Sequence, residues 1–251
     1  MTDVSIAAID RLDLAFAPRA WPFADVRRGE IEAYFATLSR ANPTLFNGNV
    51  LVMYEHELAG SVLRGRYLQT DYASFIAWRD WRSPDRSVHN CFALGALRGS
   101  DGAFLLGVMA SHTSNPGRIY FPGGTPDPSD IVDGSVDLEH SVRRELHEET
   151  GLRAEQFAMA PGWTLVMDGP YFALIKLLQA DSPAEVLRRR VLRNLADQQR
   201  PELADLHVVR SAVDLTSMVP RFAAGFLHHF WAREAASGAA ERPASYRRVE
   251  R

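Results

Sequence analysis

The segment RRELHEETGL, residues 143–152, gathers acidic side chains in a spacing that could do chemistry. Residues three or four positions apart share one face of a helix, so Glu145 would lie beside both Glu148 and Glu149. Like charges at this spacing weaken an isolated helix, whereas a divalent cation in front of them reverses the effect. Carboxylate oxygens with space left for water suit Mg²⁺ or Mn²⁺. The segment therefore predicts a metal site on a helix.

The neighbours of these acids fit a helix with one buried edge and one working face. Arg144 precedes Glu148 by four residues and could pair with it and orient it. Gly151 would end the helix. An apolar edge is formed by residues spaced by four, which are Leu138, Val142 and Leu146. The alternative is an ordinary solvated helix face, which the acidic residues alone leave open.

The surrounding pattern narrows this choice. R-E-aliphatic-x-E-E-x-G-aliphatic fixes seven of the nine positions from Arg144 to Leu152, and chance would give it in about one chain in 10⁵. With the glycine pair of PGG at 122–124, residues 121–152 resemble the Nudix box of Nudix hydrolases, G-x5-E-x7-R-E-U-x-E-E-x-G-U, where U is aliphatic. The resemblance implies divalent-metal dependence and hydrolysis of the diphosphate bond in a nucleoside diphosphate linked to another group.

The resemblance also implies roles for individual residues. By position, Glu145 and Glu149 would be the principal metal ligands, Glu148 a supporting ligand, and Arg144 the residue that orients a glutamate. Glu202 lies in RPELADLHVV, which resembles the loop and strand where the family places a further catalytic carboxylate; an acid in a first helical turn is the alternative. Substrate contacts are expected from three residues: Gly123, Gly124 and Arg118.

Two departures from the box stand out. The segment TPDPSDIVDG is an insertion, and the first box glutamate falls on Val136. Asp133 or Asp137 could replace it, although Asp137 is expected to cap the helix. The missing acid keeps a second hypothesis open, a catalytically silent Nudix-fold module that binds nucleotides or regulates. The complete set of three later glutamates favours the enzyme.

Composition limits the partners. The chain has 251 residues, 46% of them hydrophobic, and a net charge of −3, which indicates neither nucleic acid nor an anionic membrane as the main partner. A small-molecule nucleotide is the expected substrate. The single cysteine, Cys91, excludes an intrachain disulfide. With no basic leader and no apolar run of membrane-spanning length, we expect a cytoplasmic protein.

The order of predicted elements indicates an α+β fold, and the family resemblance specifies an α/β/α sandwich around a mixed sheet. We expect an N-terminal appendage of strands and helices over residues 1–85, a Nudix domain over 86–236 and a loose tail over 237–251. Within these, the segment SPAEVLRRRVLRNLADQ, residues 182–198, is predicted to form a helix with Ser182 as its cap and Pro183 at its first position.

The appendage gives the only hint of substrate identity. NPTLFNG at 42–48 and TDYASF at 70–75 resemble the N-terminal part of animal Nudix enzymes that cleave UDP-sugars. Nucleotide sugars are therefore one substrate class to consider. Three roles of the appendage stay open: shaping the substrate cleft, mediating a homodimer, or bracing the sheet.

Overall fold

The computed structural model describes residues 4–240, and within this range the chain forms fourteen strands and six α-helices. The strands are β1 Ser5–Ile9, β2 Arg11–Phe16, β3 Asn49–Ala59, β4 Val62–Asp71, β5 Asn90–Arg98, β6 Phe104–Met109, β7 Ile119–Tyr120, β8 Gly123–Gly124, β9 Ile131–Val132, β10 Ser135–Val136, β11 Phe157–Met159, β12 Trp163–Asp168, β13 Tyr171–Ala180 and β14 Leu203–Val209. The helices are α1 Pro22–Val26, α2 Arg28–Ala41, α3 Tyr72–Asp80, α4 Leu138–Thr150, α5 Ala184–Asp197 and α6 Arg221–Ala240.

The larger sheet is mixed and has the strand order β1-β12-β13-β5-β6-β14, with β11, β7 and β8 pairing beside this path. β13 and β5 run parallel, whereas the other neighbours along the path are antiparallel. These two central strands are covered on both faces, which explains why NCFALGALR and YFALIKLLQA are almost continuously apolar.

Helices cover both faces of this sheet. Side chains alternate along β13, so Leu174 packs with Leu146 of α4 and Leu187 of α5 in one core. Ile175 points the other way and packs with Phe226 of α6 in a second core. The predicted α/β/α sandwich around a mixed sheet is confirmed.

The smaller sheet joins the N-terminal segment to the insertion in the box. Its order is β3-β4-β2-β10-β9, and Ser135 of β10 pairs with Ala15 of β2. Val136 is buried at 4% exposure in the core that also holds Tyr67 of β4, so an apolar residue suits this position. Since β1 pairs with β12 of the larger sheet, residues 1–85 contribute to both sheets, and the division near residue 85 stays a prediction.

Helix starts show what local signals can and cannot predict. Asp71 caps α3 through its side chain, which accepts from the N–H of Ser74 at 2.8 Å, as its type and position predict. The predicted start of α5 is wrong, because Pro183 rather than Ser182 is the N-cap and the helix begins at Ala184. The N–H of Ala184 donates to the carboxylate of Asp101 at 3.0 Å. This acceptor comes from the distant β5–β6 turn, which local sequence cannot reveal.

Helix α6 continues to Ala240, the last described residue, so residues 237–240 of the predicted tail are helical. Residues 241–251 of that tail lie outside the described residues. Among the described helices, none combines the length and apolarity that crossing a membrane requires.

His89 links the smaller sheet to the start of β5. Its backbone exchanges two hydrogen bonds with Met53 of β3, at 3.0 and 2.7 Å. Its ring lies 4.7 Å from the ring of His56 and 4.7 Å from that of Phe172, between centroids. Burial, reinforced by His56, lowers the pKa of His89 to about 4. The native fold therefore favours the neutral imidazole.

This depressed pKa predicts a loss of stability in mild acid. In the unfolded chain His89 titrates near its ordinary value of 6.5, so the unfolded state binds more protons than the folded state between that pH and about 4. The contribution of His89 to the free energy of unfolding should therefore fall as the pH is lowered through this window. Urea titrations at pH 7 and pH 5 measure it as the stability of the wild type relative to His89→Gln, which should be smaller at pH 5, because all other titrating groups are common to the two proteins. Exposed His228→Gln is the control; an unchanged pH dependence in His89→Gln would contradict the assignment.

Candidate active site

Helix α4 carries the acidic residues and is fixed at both ends. The side chain of Asp137 accepts hydrogen bonds from the N–H groups of Glu139 and His140 at 3.0 and 2.9 Å, so Asp137 is the cap that the sequence predicts. Gly151 ends the helix with φ of 70°, and its N–H donates to His147 at 2.8 Å. Between these ends, the apolar edge that contains Leu138, Val142 and Leu146 is buried in the core.

Because that edge is buried, two of the three glutamates are largely shielded from water in a cleft. Glu149 is 5% exposed and the side chain of Glu145 is 17% exposed, whereas the side chain of Glu148 is 56% exposed at the rim. All three line one cleft of about 1060 Å³. A solvated helix face would leave the three side chains in open water, so the structure does not support that alternative.

The glycine pair faces these carboxylates. The N–H of Gly123 donates to the carboxylate of Glu149, and Oε2 of this carboxylate is buried without a hydrogen-bond partner of its own among the described residues. Gly123 has φ of 134°, and a Cβ there would lie 2.3 Å from the carbonyl oxygen of Ala93. A Cβ on Gly124 would lie 3.7 Å from Oε1 of Glu145. Glycine at 123 is therefore required by contact with β5, and it also delivers a donor to Glu149.

The site raises the pKa of both buried acids. Burial raises the pKa of Glu145 to about 7, with Arg144 opposing the shift and nearby carboxylates adding to it. Burial also raises the pKa of Glu149 well above its ordinary value, and the carboxylates of Glu145 and Glu202 add to this while the Gly123 N–H opposes it. Desolvation and mutual repulsion thus disfavour the ionised form of both acids.

The remaining predicted residues lie around the same cleft. Glu202 precedes β14, where its carbonyl accepts from the N–H of Ala110 at 2.8 Å, and its carboxylate is close enough to influence the pKa of Glu145 and Glu149. Arg118 lies on the wall formed by the β6–β7 loop. The structure therefore brings every predicted site residue to one cleft: Arg118, Gly123, Gly124, Arg144, Glu145, Glu148, Glu149 and Glu202.

Sequence reasoning missed the residue that holds Arg144. Asp130 has 0% exposure and accepts from Nη2 of Arg144 at 3.1 Å. Through Nη1 the same guanidinium contacts Glu145 at 3.0 Å and Glu148 at 3.1 Å. Asp130 thus fixes a cation that orients two acids of the site.

The two aspartates considered as replacements for the missing box glutamate have other structural positions. Asp133 is exposed in the β9–β10 turn with φ of 49°, and Asp137 caps α4. Nothing in the spacing distinguishes Asp130 from the other aspartates of TPDPSDIVDG. Only the tertiary structure shows that Asp130 is the one that contacts Arg144.

The donor set suits a hard divalent cation. A buried Glu149 oxygen lacks a partner, Glu145 lies beside it, and carboxylate oxygens are the donors that Mg²⁺ and Mn²⁺ prefer. Among the described residues, no three His, Cys, Asp or Glu side chains are already gathered at ligand geometry. A bound ion would therefore draw on Glu145 and Glu149 as protein ligands, with the remaining positions left to water and substrate.

Comparisons with known proteins identify the family of the domain that holds this cleft. A family model described as NUDIX domain matches residues 92–221, just over half of the chain. No curated protein matches significantly. Solved structures that are similar include a Nudix hydrolase from M. smegmatis, RenU, with 22% identity, 63% of this chain and 90% of that chain covered, and a TM-score of 0.35. A C. elegans Ap4A hydrolase has 18% identity, coverage of 58% and 98%, and a TM-score of 0.42. At these values the structures say nothing about substrate.

The chain belongs to the Nudix family. Membership indicates pyrophosphohydrolase activity on nucleoside diphosphate derivatives, and the protein is a Nudix-type pyrophosphohydrolase.

Burial and neighbouring carboxylates disfavour the ionised form of Glu149. We therefore expect that replacing this carboxyl group with a neutral amide stabilises the metal-free protein. Glu149→Gln keeps an acceptor for the Gly123 N–H but removes the buried charge, so the midpoint of thermal unfolding in EDTA should rise by about 2–4 °C. Adding Mn²⁺ should raise the midpoint of the wild type and leave that of the variant nearly unchanged. Calorimetry measures both, with exposed Glu155→Gln as control. A lower midpoint for Glu149→Gln in EDTA would contradict the prediction.

The contact between Asp130 and Arg144 predicts a stability difference between two neighbouring aspartates. Asp130→Asn leaves the guanidinium without its fully buried counter-charge and should lower the free energy of unfolding by about 1.5–3 kcal/mol. Asp133→Asn, in the exposed turn where Asn tolerates positive φ, should change it by less than about 0.5 kcal/mol. Urea titration compares the two variants, and equal effects would argue against the role of Asp130.

Proposed function

We propose that the protein uses Mg²⁺ or Mn²⁺ to hydrolyse the diphosphate bond of a nucleoside diphosphate linked to another group. The observation that carries this proposal is the buried oxygen of Glu149, a residue of the cleft wall, which has no hydrogen-bond partner within residues 4–240 and lies near a second buried acid, Glu145. Bound there, the cation would neutralise charge on the diphosphate and lower the pKa of a water molecule.

The residues of this chain then take distinct parts. Glu145 and Glu149 hold the ion, and Glu148 supports it from the rim. Arg144, anchored by Asp130, keeps Glu145 and Glu148 turned toward the cleft. Gly124 leaves space beside Glu145 for a phosphate to approach, and Gly123 brings its backbone N–H to the cleft beside Glu149. Arg118 contributes positive charge on the opposite wall for the substrate phosphates.

Glu202 is our proposed general base. It lies on a separate segment from α4 and faces the same cleft, so it can accept a proton from the attacking water without leaving the cation site. Water attacks one phosphorus, the bridging P–O bond breaks, and both products leave with a terminal phosphate.

The N-terminal segment favours a substrate with two parts. Both sequence stretches that suggested nucleotide sugars contribute to the cleft wall, through Thr44, Phe46 and Tyr72. The cleft volume of about 1060 Å³ lies just above the range for ligand sites, roughly 300–1,000 Å³. We therefore include nucleotide sugars among the substrates to be screened, beside dinucleotides, ADP-ribose and coenzyme A.

Loss of a metal ligand predicts a large fall in activity. Glu149→Gln should lower metal-dependent hydrolysis by at least about 100-fold and keep the circular dichroism spectrum of the wild type. A screen of these nucleotides with Mg²⁺ or Mn²⁺ identifies the substrate, and phosphate-terminated products are then quantified for wild type, Glu149→Gln and the matched Glu155→Gln.

Two outcomes separate the hypotheses. Equal turnover by Glu149→Gln and wild type would remove the assignment of the site. Nucleotide binding without turnover of any compound by the wild type would instead favour the silent module, for which Val136 in place of a box glutamate is the supporting feature.

A further inference from the structure

A cation from the N-terminal segment reaches the cleft. Arg79 belongs to α3, and its side chain is only 20% exposed although it lines the same cleft as Glu145 and Glu149. Its Nη1 lies 3.4 Å from Oδ1 of Asn115, in the loop before β7. Arg79 therefore links α3 of the N-terminal segment to the loop before β7, at the wall of the cleft.

Arg79 is within electrostatic reach of the acidic end. Nδ2 of Asn115 donates to the hydroxyl of Tyr120 at 3.3 Å. Burial raises the pKa of Tyr120 to about 12, Glu149 and Glu202 add to this shift, and Arg79 opposes it. Tyr120 is thus close enough to both the acids and Arg79 for each to affect its pKa. A short anionic group could therefore extend from the acidic end of the cleft to Arg79.

The guanidinium of Arg79 has hydrogen-bonding capacity left. Nε pairs with Asp80 at 3.0 Å, but Asp80 also accepts from the hydroxyl of Tyr34 at 2.8 Å. In the described part of the chain Nη2 makes no hydrogen bond, and Nη1 has only the long contact to Asn115. An arginine in this state suits a phosphate, which can accept two parallel N–H bonds.

The other arginines of the cleft are less suited to this role. Arg144 is occupied by acids on several sides. Arg118 and Arg200 are exposed, and the side chain of Arg221 is 53% exposed and pairs with Asp168 at 3.3 Å. Since an ion pair strengthens as water is excluded, the lower exposure of the Arg79 side chain, 20% against 53% for Arg221, favours Arg79 as the anion-binding group.

We propose that Arg79 binds the substrate phosphate that the acidic end does not hold, with Asn115 positioning its guanidinium. The N-terminal segment is then part of the substrate site and not only a brace. This inference rests on the proposed function, because a diphosphate bridging the cleft has one phosphate near Glu145 and Glu149 and needs a counter-charge for the other.

The test uses inorganic pyrophosphate, the portion that all proposed substrates share, titrated into the full-length protein in EDTA. Without a metal ion the carboxylates repel pyrophosphate, so its affinity measures the contribution of the arginine side chains of the cleft. Arg79→Gln should weaken binding by about 10- to 100-fold, as expected for a charge-assisted hydrogen bond. Arg79→Lys should recover part of it, because it keeps the charge and loses the fork.

Asp80→Asn is the matched control. It also breaks the Arg79–Asp80 pair, and the amide oxygen still accepts from Tyr34, but the guanidinium remains. Asp80→Asn should bind pyrophosphate at least as tightly as the wild type. Equal weakening by Arg79→Gln and Asp80→Asn would show that only the ion pair matters and would overturn the proposal, as would a wild type that does not bind pyrophosphate at millimolar concentration.

Kinetics separate this inference from the proposed function. With the substrate found in the nucleotide screen, Arg79→Gln should raise KM by more than it lowers kcat. If the wild type hydrolyses that substrate and Arg79→Gln matches it in both KM and pyrophosphate affinity, the inference alone is wrong. If no nucleotide is hydrolysed, the proposed function fails, and the pyrophosphate titration still decides whether Arg79 binds phosphate.

Discussion

The site depends on keeping two carboxyl groups in a cleft whose burial disfavours their ionised form. Glu145 and Glu149 lie on the side of α4 whose apolar edge is buried in the core, and this burial raises the pKa of both carboxyl groups. The Gly123 N–H and the guanidinium of Arg144 offset part of the cost. Such an arrangement sacrifices stability for a surface that attracts a cation, a compromise typical of functional sites.

Arg144 connects this charge to the rest of the fold. On one side it contacts Glu145 and Glu148, and on the other it contacts Asp130, whose exposure is 0%. Asp130 is placed by the short β9–β10 hairpin, which continues the smaller sheet through β2. The insertion in the box is therefore a structural support for the acidic helix, which explains how the site keeps an anchored arginine while Val136 packs in the core.

The cleft is made by both parts of the chain. Acidic residues come from α4 and from the segment before β14, whereas Phe46, Tyr72 and Arg79 come from the N-terminal segment. Asn42 ties that segment to the loop after β6, since its Nδ2 donates to the carbonyl of His112 at 2.7 Å. Of the three roles left open by the sequence, this geometry supports shaping the cleft, and the pairing of β1 with β12 adds a bracing role.

The sequence by itself determined the helix, its charged face and its ends, because those follow from interactions within about four residues. It also determined the family, because R-E-L-x-E-E-x-G-L is a local pattern. It could not identify Asp130 under Arg144, Asp101 at the start of α5 or Arg79 in the cleft. Those contacts join residues separated by 14, 83 and 36 positions along the chain, and only the packing of the two sheets decided which of many similar aspartates and arginines would meet there.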